Sequence, residues 1–127
     1  MLHEIQRKID LTHYCDAKVI DFQINYFGDE VCLRYVDDDC SYWEIMFLTC
    51  YQVRYETDAS WRTIKYVKDM ARSQRGYYCQ KIEVFASEAG SDFIDVIMNL
   101  SIMDVHITCK EIMINRKSGA MQKDDNA

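Results

Sequence analysis

The sequence predicts an α+β domain: a mostly antiparallel sheet of about six to seven strands packed against one central amphipathic helix, with a short N-terminal helix. Apolar and polar side chains alternate in at least six segments, and one stretch instead spaces its apolar residues by three and four positions. The 127 residues include no proline and only 4 glycines, so the connections between elements must be tight. Aromatic residues make up 13% of the chain, which favours strands.

The N-terminal part of the chain predicts the first helix and a hairpin. Residues 2–13 place apolar side chains at helical spacing, which predicts the short helix. Residues 17–26 alternate between apolar and polar side chains, which predicts a strand with one solvated face. A Gly-Asp turn at 28–29 leads into a second strand over 31–35, and the two strands form a predicted hairpin. Three aspartates at 37–39 supply the next turn.

The middle of the chain predicts another strand and the central helix. Residues 42–47 alternate again, and 48–56 either continue this strand after a bend or form a fourth strand. The central helix is predicted near 60–75, where apolar residues return at helical spacing. Polar side chains at 57–60 can accept the free N–H groups of its first turn, and Gly76 suits its C-terminal cap.

The last part of the chain predicts three more strands and a tail. These strands are predicted over residues 77–86, 94–100 and 105–114. The apolar positions change parity between Cys109 and Ile112, which predicts a β-bulge near 110–111. Residues 1–116 are predicted to form a single α+β domain, and residues 117–127, which are mostly polar, a flexible C-terminal tail.

Export and membrane signals are missing from the sequence. There is no run of about 18 apolar residues to span a bilayer, and the N-terminal MLHEIQRKID lacks the apolar core of a signal peptide. We therefore expect a cytoplasmic protein. The chain has 6 cysteines, none in a Cys-x-x-Cys pair, and Cys32, Cys50 and Cys109 lie in apolar stretches. This pattern indicates reduced, mostly buried thiols.

Catalytic and metal-binding signatures are also missing. Zinc needs about four converging ligands, whereas the sequence offers only His13 with Cys15 and His106 with Cys109. The acidic run at 37–39 lacks the glycine and the glutamate of a calcium loop. There is no G-x-S-x-G nucleophile elbow and no glycine-rich phosphate loop. We predict no metal site and no cofactor, and we favour a protein that is not an enzyme.

Charge is distributed unevenly along the chain. Residues 1–60 hold 12 Asp and Glu against 5 Lys and Arg, a balance of −7, and residues 61–127 hold 9 against 10, a balance of +1; together they give the net charge of −6. The acidic half argues against binding duplex nucleic acid and favours a basic protein partner. The candidate acidic contacts are Glu30, Asp37, Asp38, Asp39 and Glu44.

The predicted central helix is basic. Trp61 and Tyr66 are interleaved with five cations, which are Arg62, Lys65, Lys68, Arg72 and Arg75. This pattern is compatible with an anion site for RNA, a nucleotide or an acidic protein. We prefer to interpret it as the solvated face of an amphipathic helix whose other face packs on the sheet.

One block of the chain resembles a known class of bacterial proteins. The segment GDEV at 28–31 and the segment YWEIMF at 42–47, followed by Cys50 and Val53, are similar to small bacterial proteins related to immunity proteins of contact-dependent or polymorphic toxin systems. The resemblance implies a cytosolic protein that binds and blocks a toxin domain, often a basic nuclease, without catalysis. It assigns no individual functional residue.

These observations lead to one hypothesis and two alternatives. The hypothesis is a non-catalytic protein-binding domain that neutralises a basic toxin domain through its acidic N-terminal half. One alternative is a small-molecule-binding or enzymatic domain with a pocket inside a curled sheet. The other is a nucleic-acid binder that uses the basic helix over 62–75.

Overall fold

The computed structural model describes residues 1–61 and 66–119. Within them, one α-helix precedes six strands that form a single sheet in the order β1-β2-β3-β6-β5-β4, with every neighbouring pair antiparallel. The elements are α1 (Leu2–Asp10), β1 (Val19–Asn25), β2 (Glu30–Asp38), β3 (Ser41–Thr57), β4 (Lys81–Ala86), β5 (Ile94–Asn99) and β6 (Met103–Ser118). The predicted antiparallel sheet and short N-terminal helix are therefore confirmed.

Alternation along the strands builds the core on one face of the sheet, here called the inner face. On β2 the side chains of Val31, Leu33 and Tyr35 are fully buried, and on β3 they meet Ile45 and Phe47 across the ladder. Burying one such side chain contributes roughly 1.5–3 kcal/mol, so these alternating positions supply much of the driving force for this pairing.

Helix α1 covers part of the inner face and protects one edge of the sheet. Its Ile9 side chain is fully buried in the core. The Gln6 amide lies against the edge strand β4, where Oε1 accepts the Val84 N–H at 2.8 Å and Nε2 donates to the Ile82 carbonyl at 2.9 Å. These bonds occupy main-chain groups that an edge strand otherwise leaves free to pair with another chain.

The predicted central helix over 60–75 is wrong. Residues 62–65 lie outside the described part of the chain, and the rest forms two short 3₁₀ turns, Val67–Asp69 and Arg72–Gln74. Met70 between them is extended (φ −97°, ψ 141°), and its side chain is buried in the protein. Tertiary packing of Met70 thus outweighs the local helical spacing, as is common because helix propensity is a weak preference.

Gly76, predicted as the cap of that helix, has a packing role instead. A Cβ atom at this position would lie 3.3 Å from Ile102 Cδ1 and 3.6 Å from the Trp61 ring. The Trp61 ring also packs edge-on against Tyr77, with 6.3 Å between the ring centroids. The absence of a side chain at Gly76 allows this close approach.

The sheet curls until its two edge regions meet at one end. Lys18, just before β1, forms a bridge with Tyr78, just before β4. The Val19 N–H donates to the Tyr77 carbonyl at 3.0 Å, and the Cys79 N–H donates to the Ala17 carbonyl at 2.8 Å. The curl leaves a concave inner face, of which α1 covers only a part.

The two long strands, β3 and β6, bend together along their shared ladder. The predicted segment 48–56 continues β3 and does not form a separate strand. The register shifts between Cys50 and Gln52, so the extra residue is Tyr51 on β3 and not a residue near 110–111 on β6, as predicted. Thr49 adopts a left-handed conformation (φ 54°), which accommodates the bend.

Two further findings concern the C-terminal residues and the question of a membrane-spanning helix. Strand β6 extends to Ser118, and residues 120–127 lie outside the described part, so the flexible tail over 117–127 stays a prediction. None of the helices in the described ranges has the length and apolarity needed to cross a bilayer.

Candidate partner-binding surface

Large apolar side chains are exposed where β1 turns into β2. Ile24, Tyr26, Phe27 and Tyr51 border one groove of about 440 Å³, and Phe27 projects fully into solvent. We call this site the aromatic groove; it is lined by Ile24, Tyr26, Phe27, Gly28, Asp29, Cys50, Tyr51, Gln52 and Val53. Clustered aromatic side chains of this kind are typical of protein interfaces.

The turn that presents Phe27 has an unusual backbone. Three consecutive residues adopt left-handed conformations: Tyr26 (φ 54°), Phe27 (φ 58°) and Gly28 (φ 95°). Only glycine adopts this region readily, and another residue pays roughly 1–2 kcal/mol there. The sheet holds the turn in place, since the Asp29 N–H donates to the Tyr26 carbonyl at 3.1 Å and the Cys50 N–H donates to the Asp29 carbonyl at 2.9 Å. The fold therefore holds a strained turn in place, although burial of the Phe27 ring contributes nothing to stability.

Tyr51 borders the groove because of the irregularity in β3. Tyr51 is the extra residue of the ladder, so its side chain does not follow the regular alternation of β3. The residue is 71% exposed. The ring of Phe93 lies against it with 5.4 Å between centroids, and Lys110 Nζ lies 5.3 Å from the centroid of the Phe93 ring. This stack limits the rotamers of Tyr51, which reduces the entropy that the side chain would lose on binding.

An apolar cavity inside the curl of the sheet continues from the aromatic groove. It has a volume of about 590 Å³, and Ile24 lines both sites. Phe22 and Tyr55 also line it and pack edge-on, with 6.2 Å between their ring centroids. Because Ile24 lines both sites, the cavity and the aromatic groove adjoin at this residue.

Two acidic residues, Asp29 and Glu30, directly follow the turn that presents Phe27. Asp29 is exposed and belongs to the groove itself, whereas Glu30 is half-buried and begins β2. Asp29 is the charged residue among the described lining of the groove. The rim of the groove is thus acidic on this side, and Asp29 is not among the acidic contacts predicted from the sequence.

The end of β2 and the turn into β3 contain Asp37, Asp38 and Asp39, and we call this segment the acidic turn. Arg116 reaches it from β6, with Nε 2.8 Å from Asp37 Oδ2 and Nη2 3.2 Å from Asp38 Oδ2. The Ser41 hydroxyl lies 2.7 Å from an oxygen of each carboxylate. These hydrogen bonds from Ser41, followed by those from Arg116 to Asp37 and from the Cys40 N–H to Asp38, lower the pKa of both carboxyl groups. Two of the three predicted acidic contacts in this turn are therefore already paired within the chain.

The Asp37→Asn/Asp38→Asn variant should show how these carboxylates affect stability at different pH. A lowered pKa in the folded state stabilises the protein above the ordinary aspartate pKa of 3.8, and this contribution disappears as pH falls through the lower folded-state pKa. We therefore expect the wild type to be the more stable protein near neutral pH and to lose that advantage below about pH 4. Urea denaturation at several pH values measures the difference, and a constant gap down to acid pH would contradict the pairing. Arg116→Gln should reduce the gap.

Glu44 is also neutralised within the chain. Its Oε2 lies 2.9 Å from Arg34 Nε, and its Oε1 lies 3.9 Å from Lys117 Nζ. Arg34 Nη1 lies 3.1 Å from Asp21 Oδ2, so one guanidinium joins carboxylates on the two flanking strands. Burial lowers the pKa of Arg34, but the hydrogen bond that Arg34 donates to Glu44 and the neighbouring carboxylates outweigh that effect and raise the pKa above its ordinary value. This network lies across three strands and leaves Glu44 little free charge to offer a partner.

The five predicted acidic residues do not form one cluster. Glu30 begins β2 and Asp38 ends it, so the extended strand separates them by roughly 25 Å. Asp39 is exposed, and it has no ion pair among the described residues. The structure thus divides these acids between the aromatic groove, a paired network and the opposite end of the hairpin.

The predicted anion site is not assembled on a helix. Arg62, Lys65 and the side chain of Arg72 lie outside the described part of the chain. Lys68 lies in a 3₁₀ turn with its Nζ 5.6 Å from the centroid of the Tyr66 ring. Lys68 and Arg75 both line the apolar cavity beside the aromatic groove. The two described cations therefore lie next to apolar surface and not along a basic stripe.

The chemistry available to the described side chains is limited. Within 1–61 and 66–119, no three His, Cys, Asp or Glu side chains gather closely enough to hold a metal ion. Burial raises the pKa of Cys32 to about 11 and that of Cys79 to about 12, so both are protonated thiols at neutral pH. His106 contacts Arg54 through Nδ1, and its Nε2 lies 3.9 Å from Asp95 Oδ2.

The aromatic groove was not identified from the sequence. Tyr26 was assigned to a strand, because it continues the alternation of β1, but the strand ends at Asn25. The available signal was the pair Tyr26–Phe27 directly before the turn at Gly28, a position where polar residues are usual.

Comparisons with known proteins concern the family and the fold of the chain. Residues 1–116 match the family described as Immunity protein PIM7. No functionally curated protein matches the chain. Among solved structures, the chain is similar to an uncharacterized protein from Neisseria gonorrhoeae with a TM-score of 0.52 and 10% identity, over 80% of this chain and 92% of that chain. At this identity the likeness concerns the fold alone. The family match confirms the resemblance to toxin immunity proteins, and the chain belongs to the family Immunity protein PIM7.

Proposed function

We propose that the protein binds and blocks a toxin protein through the aromatic groove, with Asp29 and Glu30 at its rim. Membership of an immunity protein family supports a non-catalytic, protein-binding role. The observation that carries the choice of surface is the strained turn that exposes Tyr26 and Phe27. Strain held by the surrounding structure at an exposed aromatic residue is characteristic of functional sites.

The aromatic side chains would supply most of the binding energy. A few residues dominate most protein interfaces, and tyrosine is among the types enriched there. Phe27 and Tyr51 both line the groove, so a side chain of the toxin inserted there would be desolvated against aromatic surface. The contiguous cavity that begins at Ile24 would extend the apolar contact.

Fewer acidic residues of the N-terminal half are available to a partner than the net charge of that half indicates. Asp37, Asp38 and Glu44 are paired with cations of the same chain. Asp29 and Glu30, beside the groove, remain to face basic groups on the rim of a toxin. Rim charges of this kind increase the association rate more than the affinity.

The proposed function predicts that a neighbouring gene encodes the toxin, and co-expression with that gene product tests it. In bacterial cells that produce the toxin, the protein should restore growth. The purified protein should form a stoichiometric complex with a catalytically inactive toxin variant, as measured by size-exclusion chromatography and calorimetry. Growth arrest in the presence of the protein, together with no complex, would refute the proposal.

A matched pair of single substitutions tests the acidic rim. Asp29→Asn removes a charge at the groove, and Asp39→Asn removes the same charge from the acidic turn. We expect Asp29→Asn to lower the association rate constant by about two- to fivefold at low salt, because steering depends on nearby charge. Asp39→Asn should leave this rate constant unchanged. Stopped-flow measurements give both rates, and the reverse order would instead assign the contact to the acidic turn.

A further inference from the structure

Two cysteines face each other across the bend shared by β3 and β6. Cys50 and Cys109 are direct partners in the antiparallel ladder. Cys109 is fully buried in the core, and Cys50 packs against the same core cluster while remaining half-exposed. The two side chains therefore lie on the same face of the sheet, and both sulfurs are free thiols.

The hydrogen bonds of the main chain show which kind of pair this is. The Cys50 N–H donates to the Asp29 carbonyl on the β2 side, away from β6. Cys109 in turn has Ile94 of β5 as its other partner. Cys50 and Cys109 therefore form a non-hydrogen-bonded pair, in which Cα atoms are about 4.5 Å apart and side chains approach closely. That separation falls within the range of roughly 4.4–6.8 Å that a disulfide spans.

We propose that Cys50 and Cys109 form a cross-strand disulfide by exchange with a small-molecule disulfide such as oxidised glutathione. The Cys50 thiolate attacks one sulfur of the reagent and releases one glutathione thiolate. The Cys109 thiolate then attacks Cys50 Sγ in the mixed disulfide and releases the second. The protein loses two protons and two electrons, and the electrons reduce the reagent to two thiols.

The positions of the two residues support this order of steps. Cys50 lines the aromatic groove and is half-exposed, so a reagent can reach it, whereas the second step is intramolecular and needs no access to Cys109. Burial raises the pKa of Cys50 to about 11 and that of Cys109 to about 12, so exchange is slow at neutral pH and faster in mild alkali. The bond would close a loop of the chain from β3 to β6 and hold the bend that carries Tyr51.

The experiment uses the full chain and oxidised glutathione at mildly alkaline pH. The intact mass should fall by the mass of two hydrogen atoms, with no glutathione bound to the protein. Peptide mapping should find Cys50 linked to Cys109. The midpoint of thermal unfolding should rise by about 5–10 °C, because the cross-link closes a long loop. This test needs no toxin, so its failure leaves the proposed function untouched.

Substitutions distinguish this cross-link from other thiol reactions. Cys109→Ser should leave a stable glutathione adduct on Cys50, and Cys50→Ser should remove the cross-link. The matched control, Cys15→Ser/Cys40→Ser, removes the two exposed cysteines and should still form it. A cross-link between Cys15 and Cys79, a permanent adduct on Cys50 in the wild type, or six free thiols at equilibrium would each overturn the proposal.

Discussion

Replacing Phe27 and Tyr51 together by alanine is expected to weaken toxin binding by at least about 100-fold while the fold stays intact. Both rings are exposed, with Phe27 fully and Tyr51 71% in solvent, so truncation leaves no cavity in the core. A residue that dominates an interface contributes about 2 kcal/mol or more to the binding free energy. Two such residues together would exceed the 100-fold loss of affinity, unless their contributions are not additive. Calorimetry with the inactive toxin measures the affinity, and urea denaturation measures stability.

The control for this prediction is Phe85→Ala. Phe85 is also an exposed aromatic residue, at 43%, but it lies on β4 and lines no part of the aromatic groove. Its removal should change affinity less than about twofold, as expected for exposed residues outside an interface. Equal losses for the two variants, or none for Phe27→Ala/Tyr51→Ala, would rule out the aromatic groove as the binding surface.

Phe27→Gly separates the strain from the contact. Glycine tolerates the left-handed backbone of this position, so this variant should gain about 1 kcal/mol of stability while it loses the ring. Greater stability combined with weaker binding would show that the turn is strained in order to present Phe27. Unchanged binding would contradict that role.

Replacing Arg34 by alanine is expected to lower the free energy of unfolding by about 3 kcal/mol. This is the largest effect on stability that we expect from a single substitution outside the apolar core. The Glu44 side chain is only 13% exposed, and without Arg34 its nearest remaining cation is Lys117 at 3.9 Å. Asp21 loses its partner at the same time. A poorly solvated carboxylate without a close counter-charge is costly, and urea denaturation measures the cost.

Two further variants show whether the lost charge pair causes this effect. Arg34→Ala/Glu44→Gln should recover about half of the loss, because the unpaired charge is gone. Arg7→Ala removes the ion pair of Arg7 with Glu4 at 2.6 Å, where both side chains are 52% exposed, and should cost less than about 0.5 kcal/mol. If Arg34→Ala were as mild as Arg7→Ala, the network across β1, β2 and β3 would have no structural role.

The strands could be predicted because their signal is local. Val31, Leu33 and Tyr35 alternate with polar residues, and a strand that buries one face needs only that period. The same local reasoning failed over 60–75, where Met70 packs into the core in an extended conformation. Apolar residues do recur at helical spacing over 60–75, but the packing of Met70 decides the backbone conformation, and the spacing does not reveal that packing.

The distribution of usable charge could not be predicted. Asp37 and Arg116 are separated by 79 positions, and only the β3–β6 ladder brings them within 2.8 Å. A count of charges along the sequence assigns the same weight to the paired Asp37 and to the exposed Asp29. The acidic half therefore pointed to a basic partner without identifying which acids could meet it.

The sequence by itself determined the class of fold, the antiparallel pairing and the likeness to immunity proteins, since these depend on alternation and on short segments of the chain. The tertiary structure alone decided which surface is free. Pairing of β3 with β2 and with β6 neutralised Glu44 and the acidic turn, whereas the curl of the sheet and the shift in register at Tyr51 brought Phe27, Ile24 and Tyr51 to one groove. The contact of Arg116 with Asp37 and the approach of Tyr51 to the turn at Phe27 join residues far apart in the chain, so no local pattern of side chains encodes them.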